Sequence, residues 1–142
     1  KPRQREETTL FPGAVELLRG LHNRGVRLGI VSTKSGDTIE YIMERYGLRN
    51  ILELVLGSYD VTCHKPHPEG ILKALERMEV PPEEFLYCGD TVLDAEAAQR
   101  AGVDFAAVLN GTTPAEAFSP WPKVCVAENL AALAQALGVC ED

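Results

Sequence analysis

The stretch FLYCGDTVLDAEAAQRAG, residues 85–102, passes from an apolar run through Gly89 to two aspartates four apart, Asp90 and Asp94. The apolar run has the length and make-up of a buried strand. The alanine-rich segment 92–101, stopped by Gly102, reads as a helix. Strand, glycine turn and helix together form the repeating unit of parallel α/β sheets. A spacing of four sets both carboxylates on one side of a turn. Crowded carboxylates repel, so the pattern calls for a cation between them. The plainer reading is a helix N-terminus, which favours acids on its own account.

Outward from this unit the same alternation recurs. Residues 11–25 read as a helix, with Pro12 in the first turn, Val15, Leu17, Leu18 and Leu21 on one face, and Gly25 as a stop. A strand over 26–32 follows, then a helix over 36–47 with Ser35 as its cap. A strand over 51–58 and a helix over 68–80 precede the central unit. After it come strands over 103–111 and 122–127 and a helix over 128–138. Short, near-continuous apolar strands between helices predict an α/β fold, a three-layer α/β/α Rossmann-like core around a mostly parallel sheet. Residues 1–8 are polar and read as a tail or the end of an upstream segment, with the core domain over 9–142.

Bulk composition narrows the function. A chain of 142 residues suits one core, and 45% hydrophobic with 25% charged residues is a globular balance. A net charge of −7 argues against a nucleic-acid partner or an anionic membrane surface. No apolar run reaches the roughly 18–20 residues of a membrane span, and no secretory signal follows the charged start. The cysteines Cys63, Cys88, Cys125 and Cys140 lack a C-x-x-C spacing, so neither a zinc site nor a disulfide framework is expected. A cytoplasmic setting fits.

In such sheets ligands bind beyond the C-terminal ends of the strands. The strand over 26–32 ends in Ser32, Thr33 and Lys34, where hydroxyls and free N–H groups can cradle an anion. Helix capping by Ser32 or Ser35 is the alternative. The connector CHKPHP, residues 63–68, carries Lys65 next to Pro66, with Pro68 stiffening the loop. A solvated loop lysine is its plainer reading, and His64 and His67 read as exposed loop histidines. A hydroxyl, a lysine and a glycine followed by paired acids would converge at one sheet edge. There they could hold a phosphoryl group and a hard cation such as magnesium.

The combined pattern resembles the haloacid dehalogenase superfamily, in particular its phosphoglycolate phosphatase-like branch, over nearly the whole chain. LFPGAVELLRGLHNRGVRLGIVSTKS is similar to the segment leading to that branch's second motif, with Ser32 as its hydroxyl residue. HKPHPEGILKAL resembles the third-motif region, with Lys65 as its lysine. LYCGDTVLDAEAAQRAGV resembles the fourth motif, with Asp90 and Asp94 as its acids, and VLNG (108–111) falls where the branch often has a glycine. The resemblance implies hydrolysis of small-molecule phosphate esters through an aspartyl-phosphate, with Mg2+. Asp90 and Asp94 would serve the metal, Asp94 either through water or by orienting the site. Ser32 and Thr33 would bind the phosphoryl group, and Lys65 would balance its charge.

The family's first motif, Asp-x-Asp-x-Thr on an initial strand, has no match here, because the first aspartate is Asp37 in a predicted helix. Its cap segment is likewise unmatched. The missing strand belongs between those ending at Ser32 and Asp90, so two apolar edges should be left open. The chain alone is expected to be inactive, and to pair with an N-terminal segment or a second copy. The alternative is a non-catalytic phosphate-binding or interaction module on the same scaffold. A receiver-type signalling domain also gathers acids, a hydroxyl and a lysine, but its acidic pair belongs after an early strand.

Overall fold

The computed structural model of the protein describes residues 13–109 and 111–138. The expected tail over 1–8, Pro12, Asn110 and Cys140 lie outside them. Helix α1 spans Ala14–Asn23, β1 Gly29–Val31, α2 Gly36–Arg45 and β2 Leu54–Leu56. Helix α3 spans Glu69–Met78, β3 Leu86–Gly89, α4 Val92–Ala101, β4 Asp104–Val108, β5 Cys125–Ala127 and α5 Leu130–Ala136. The predicted order is present, with shorter strands.

Local chemistry explains the shortening. Val26 closes the end of α1 instead of opening β1. Gly25 takes φ 84°, its N–H bonds the carbonyl of His22, and Val26 N–H reaches back to Leu21. This paired closure is a helix stop that needs a left-handed residue, which glycine supplies without strain. The segment 51–58 loses both ends to short 3₁₀ turns at Arg49–Ile51 and Ser58–Asp60. Arg49 is held there by Glu40 at 2.5 Å and by the carbonyl of Leu52.

All strand pairs are parallel, but the sheet is in two pieces, β1–β2 and β3–β4–β5. In a parallel ladder alternate residues bond to each neighbour. Leu28 and Ser32 bond toward β2, and Phe85 bonds toward β4. The backbone groups of Gly29 and Val31, and of Leu86 and Cys88, therefore face edges that have no partner strand among the described residues. The hydroxyl of Tyr87 reaches the carbonyl of Val31 at 3.4 Å, so the open edges of β3 and β1 are neighbours. Exposed Leu86 and Cys88 mark the β3 side.

Helix α3 closes this region from one face. Its Ile71 and Leu75 pack in one core cluster with Tyr87, Ala95, Ala98 and Phe105, with Val31 alongside. Gly70 lets the helix approach β1, since a Cβ there would lie 2.7 Å from Val31 Cγ1. The C-terminal ends of β1 and β3 are thus held on one side of the molecule, where the predicted site residues sit.

Candidate functional site

The acid turn is built on α4. Thr91 caps the helix, accepting from Asp94 N–H at 3.2 Å, while the Asp94 carboxylate accepts from Thr91 N–H at 3.1 Å. This reciprocal box satisfies helix-end N–H groups that would otherwise lack partners. The same carboxylate oxygen, Oδ2, also takes Asp90 N–H at 3.1 Å and the Thr91 hydroxyl at 2.9 Å. Gly89 makes this possible: a Cβ there would stand 2.5 Å from the Asp94 side chain. The glycine is needed for close approach of a carboxyl group.

Asp94 is the buried charged residue among those described, 3% exposed. Its second oxygen, Oδ1, pairs with Lys65 Nζ at 2.5 Å. Lys65 arrives on the 63–68 connector, whose Lys65–Pro66 peptide is cis. Nζ also lies 3.3 Å from the Tyr87 hydroxyl and 5.8 Å from its ring centre. Burial pushes the Lys65 pKa down, but the Tyr87 oxygen and the Asp94 carboxylate outweigh it, and the net shift is upward. Burial raises the Tyr87 pKa, against the pull of Lys65, so the phenol stays neutral. Lys65 is a fixed cation, not the solvated loop lysine of the plainer reading.

The first turn joins on the other side. Ser32 N–H continues the ladder to Leu56 at 2.9 Å, and its hydroxyl accepts from Lys34 N–H at 3.0 Å. The helix cap belongs to Ser35, which accepts from Thr38 N–H at 3.2 Å. That leaves the Ser32 hydroxyl proton able to donate outward. Gly57 permits the turn to seat on β2, since a Cβ there would meet Gly36 N at 2.5 Å. One cavity is lined by Ser32, Thr33, Gly57 and Lys65, and no carboxylate of the described residues lines it. Two hydroxyls and a cation with no anion on the wall make an anion cradle.

Asp90 differs from its partner. It is half-buried, and its carboxylate has no donor among the described residues. Its Oδ2 lies where a Cβ on Gly111 would approach to 2.6 Å, so that glycine keeps the space open. A partly buried carboxylate with neither oxygen bonded by a described residue is a hard oxygen donor, which fits magnesium with its retained waters. Asp94 has donors on both oxygens. Of the two roles expected for it, orienting the site is the one this geometry supports.

The sequence reading named Ser32, Thr33, Lys65, Asp90 and Asp94, of which the structure sets the first three on one cavity and joins Lys65 to Asp94 in an ion pair beside the Asp90 turn. It missed Tyr87 and Gly57. A tyrosine inside an apolar run signals a buried hydroxyl in need of partners; the approach to Gly57 carries no local signal.

Comparison with known proteins bears on the chain as a whole. The haloacid dehalogenase-like hydrolase family model matches residues 1–108. The chain is 37% identical over 115 residues to a pyrophosphatase, PpaX, of Oceanobacillus iheyensis, covering 79% of this chain and 54% of that protein. It is 31% identical over 134 residues to the phosphoglycolate phosphatase of Escherichia coli K12, covering 94% of this chain and 53% of the enzyme. The chain spans about half the length of these curated relatives. A solved Bacteroides fragilis structure assigned to the haloacid dehalogenase-like hydrolases superposes with a TM-score of 0.87 at 38% identity. It covers 91% of this chain and 61% of that one. With a parallel α/β core, a strand-end hydroxyl, a fixed lysine and a glycine-led acid pair, this chain belongs to the haloacid dehalogenase-like hydrolase family.

Proposed function

We propose that this chain supplies the phosphate-binding and metal-binding side of a magnesium-dependent phosphatase acting on small-molecule phosphate monoesters. The observation that carries the reading is the Lys65–Asp94 pair, which ties the hydroxyl-lined cavity to the Asp90 turn. Ser32 and Thr33 donate to the phosphoryl oxygens, and Lys65 stays protonated to balance their charge. Asp94 keeps Lys65 and the Asp90 backbone in place. Magnesium, held by Asp90 and water, would add the remaining neutralisation of charge on the phosphoryl group.

The nucleophile that would form an aspartyl-phosphate is not among these site residues. We assign it to a segment carrying Asp-x-Asp-x-Thr that pairs as a strand between β1 and β3, bringing an aspartate to the cavity mouth. On this reading the 142 residues alone bind phosphate without turning it over. The absence of a carboxylate on the cavity wall also favours the second reading, a phosphate-binding module without catalysis. Free Cys63, Cys88 and Cys125 suit a reducing, cytoplasmic setting.

The test is release of phosphate from an aryl phosphate by the native gene product carrying this sequence. Activity should require magnesium and fall about 100-fold or more in Lys65→Ala, and by a similar factor in Ser32→Ala. Unchanged rates in both variants would defeat the site assignment. Phosphate binding that needs Lys65 but never leads to turnover would establish the second reading.

A further inference from the structure

Cys63, His67 and Glu69 have no part in the proposed phosphate binding, and their ligand atoms all lie within 4.8 Å of one another. They come from one seven-residue turn, CHKPHPE, which runs into the first residue of α3. We propose that this turn is a binding site for a thiophilic divalent cation of the zinc type. The missing C-x-x-C spacing concealed it, because the ligands are a thiol, an imidazole and a carboxylate gathered by the turn.

The donor set selects the ion. A thiolate and an imidazole favour zinc-like metals over magnesium, and three protein ligands with water in the fourth position make an open tetrahedral site. Ligand atoms in a zinc tetrahedron stand roughly 3.3–3.8 Å apart, given bonds of about 2.0–2.3 Å. Modest rotation of exposed side chains closes the difference.

The turn is already organised. Glu69 accepts from Thr62 N–H at 3.0 Å and from Cys63 N–H at 2.7 Å. A carboxylate has about four lone-pair positions; besides the N–H groups of Thr62 and Cys63, Lys73 Nζ lies 3.4 Å from Oε2, and a metal takes the place of that half-exposed ammonium. His67 Nδ1 accepts from Glu69 N–H at 3.1 Å. Its proton therefore sits on Nε2, and a metal takes the Nδ1 lone pair in exchange for one hydrogen bond, or Nε2 after a tautomer change. Cys63 and His67 are exposed, so the ion has a path in, and neither side chain is needed by the core. Both also line the cavity that holds Ser32 and Lys65, placing the ion at the rim of the phosphate cradle.

The experiment is titration of the untagged protein with Co2+, a spectroscopic substitute for Zn2+, followed through the near-ultraviolet thiolate-to-cobalt band. One equivalent should give the band, and Zn2+ should displace it. Cys63→Ser should abolish the band, and His67→Gln should weaken binding about tenfold or more. Cys88→Ser and His64→Gln should leave both unchanged. No band, a band that survives Cys63→Ser, or unaltered affinity in His67→Gln overturns the site. A second measurement needs no variant: Zn2+ should protect Cys63, but not Cys88, from alkylation read by peptide mass. Equal labelling of Cys63 with and without Zn2+ also overturns it. Neither readout depends on phosphatase activity.

Discussion

At the scale of single residues, the two aspartates of the Gly-Asp-x-x-x-Asp turn have different duties. Asp94 is committed to Lys65 and to three donors around the helix start, whereas the Asp90 carboxylate has no donor among the described residues and is, on the proposed function, the metal's. Gly89 is the hinge of that division. Gly89→Ala would drive a methyl group into the Asp94 carboxyl and should cost about 1–3 kcal/mol, read as a lowered denaturation midpoint. Lys65 gives a pH signature. Its folded pKa lies above the ordinary 10.5, so its stabilising effect is full below 10.5 and fades as pH rises through the folded value. The midpoint difference between the native protein and Lys65→Met should be widest near neutrality and shrink in strong alkali. A difference unchanged with pH would contradict the ion pair. The acid pair, the lysine and the hydroxyl could be picked out from residue type and position. The pairing of Lys65 with Asp94 could not, because they are 29 residues apart and only packing of the connector over α4 joins them.

Elements follow the same logic. The alternation of helices and strands was readable because each strand carries an apolar run and most helices an apolar face. Boundaries were less so, since Val26 serves a helix closure that looks like strand in composition. The bland interpretation of the acid turn, a helix start that favours carboxylates, holds for Asp94, which is the partner of Thr91 in a capping box. Function and capping share one side chain. Thr91→Ala removes the cap acceptor and a donor to Asp94, and should lower stability by about 1 kcal/mol. Thr91→Ser should restore most of it. Equal losses for alanine and serine would mean that packing of the threonine methyl matters, not the cap.

For the molecule as a whole, the divided sheet sets the behaviour. Amides of Gly29, Val31, Leu86 and Cys88 face edges without a partner strand among the described residues, while those of Ile30 and Tyr87 lie in ladders. Hydrogen exchange of the 142-residue chain should therefore be fast at the first four and slow at the other two. Uniform protection across β1 and β3 would mean that the gap is closed in solution. A gap between β1 and β3 is what the unmatched first motif leads one to expect, but that Tyr87 reaches across to Val31 could be learned only from the packed structure. The central claim is that Asp90 is the metal-binding acid of the proposed phosphoryl-transfer site and that the fold does not depend on it. The most direct measurement is magnesium-dependent phosphate release by Asp90→Asn in the native gene product, taken with its melting temperature. A fall of about 100-fold or more with melting unchanged is the predicted result; full activity in Asp90→Asn would contradict the account.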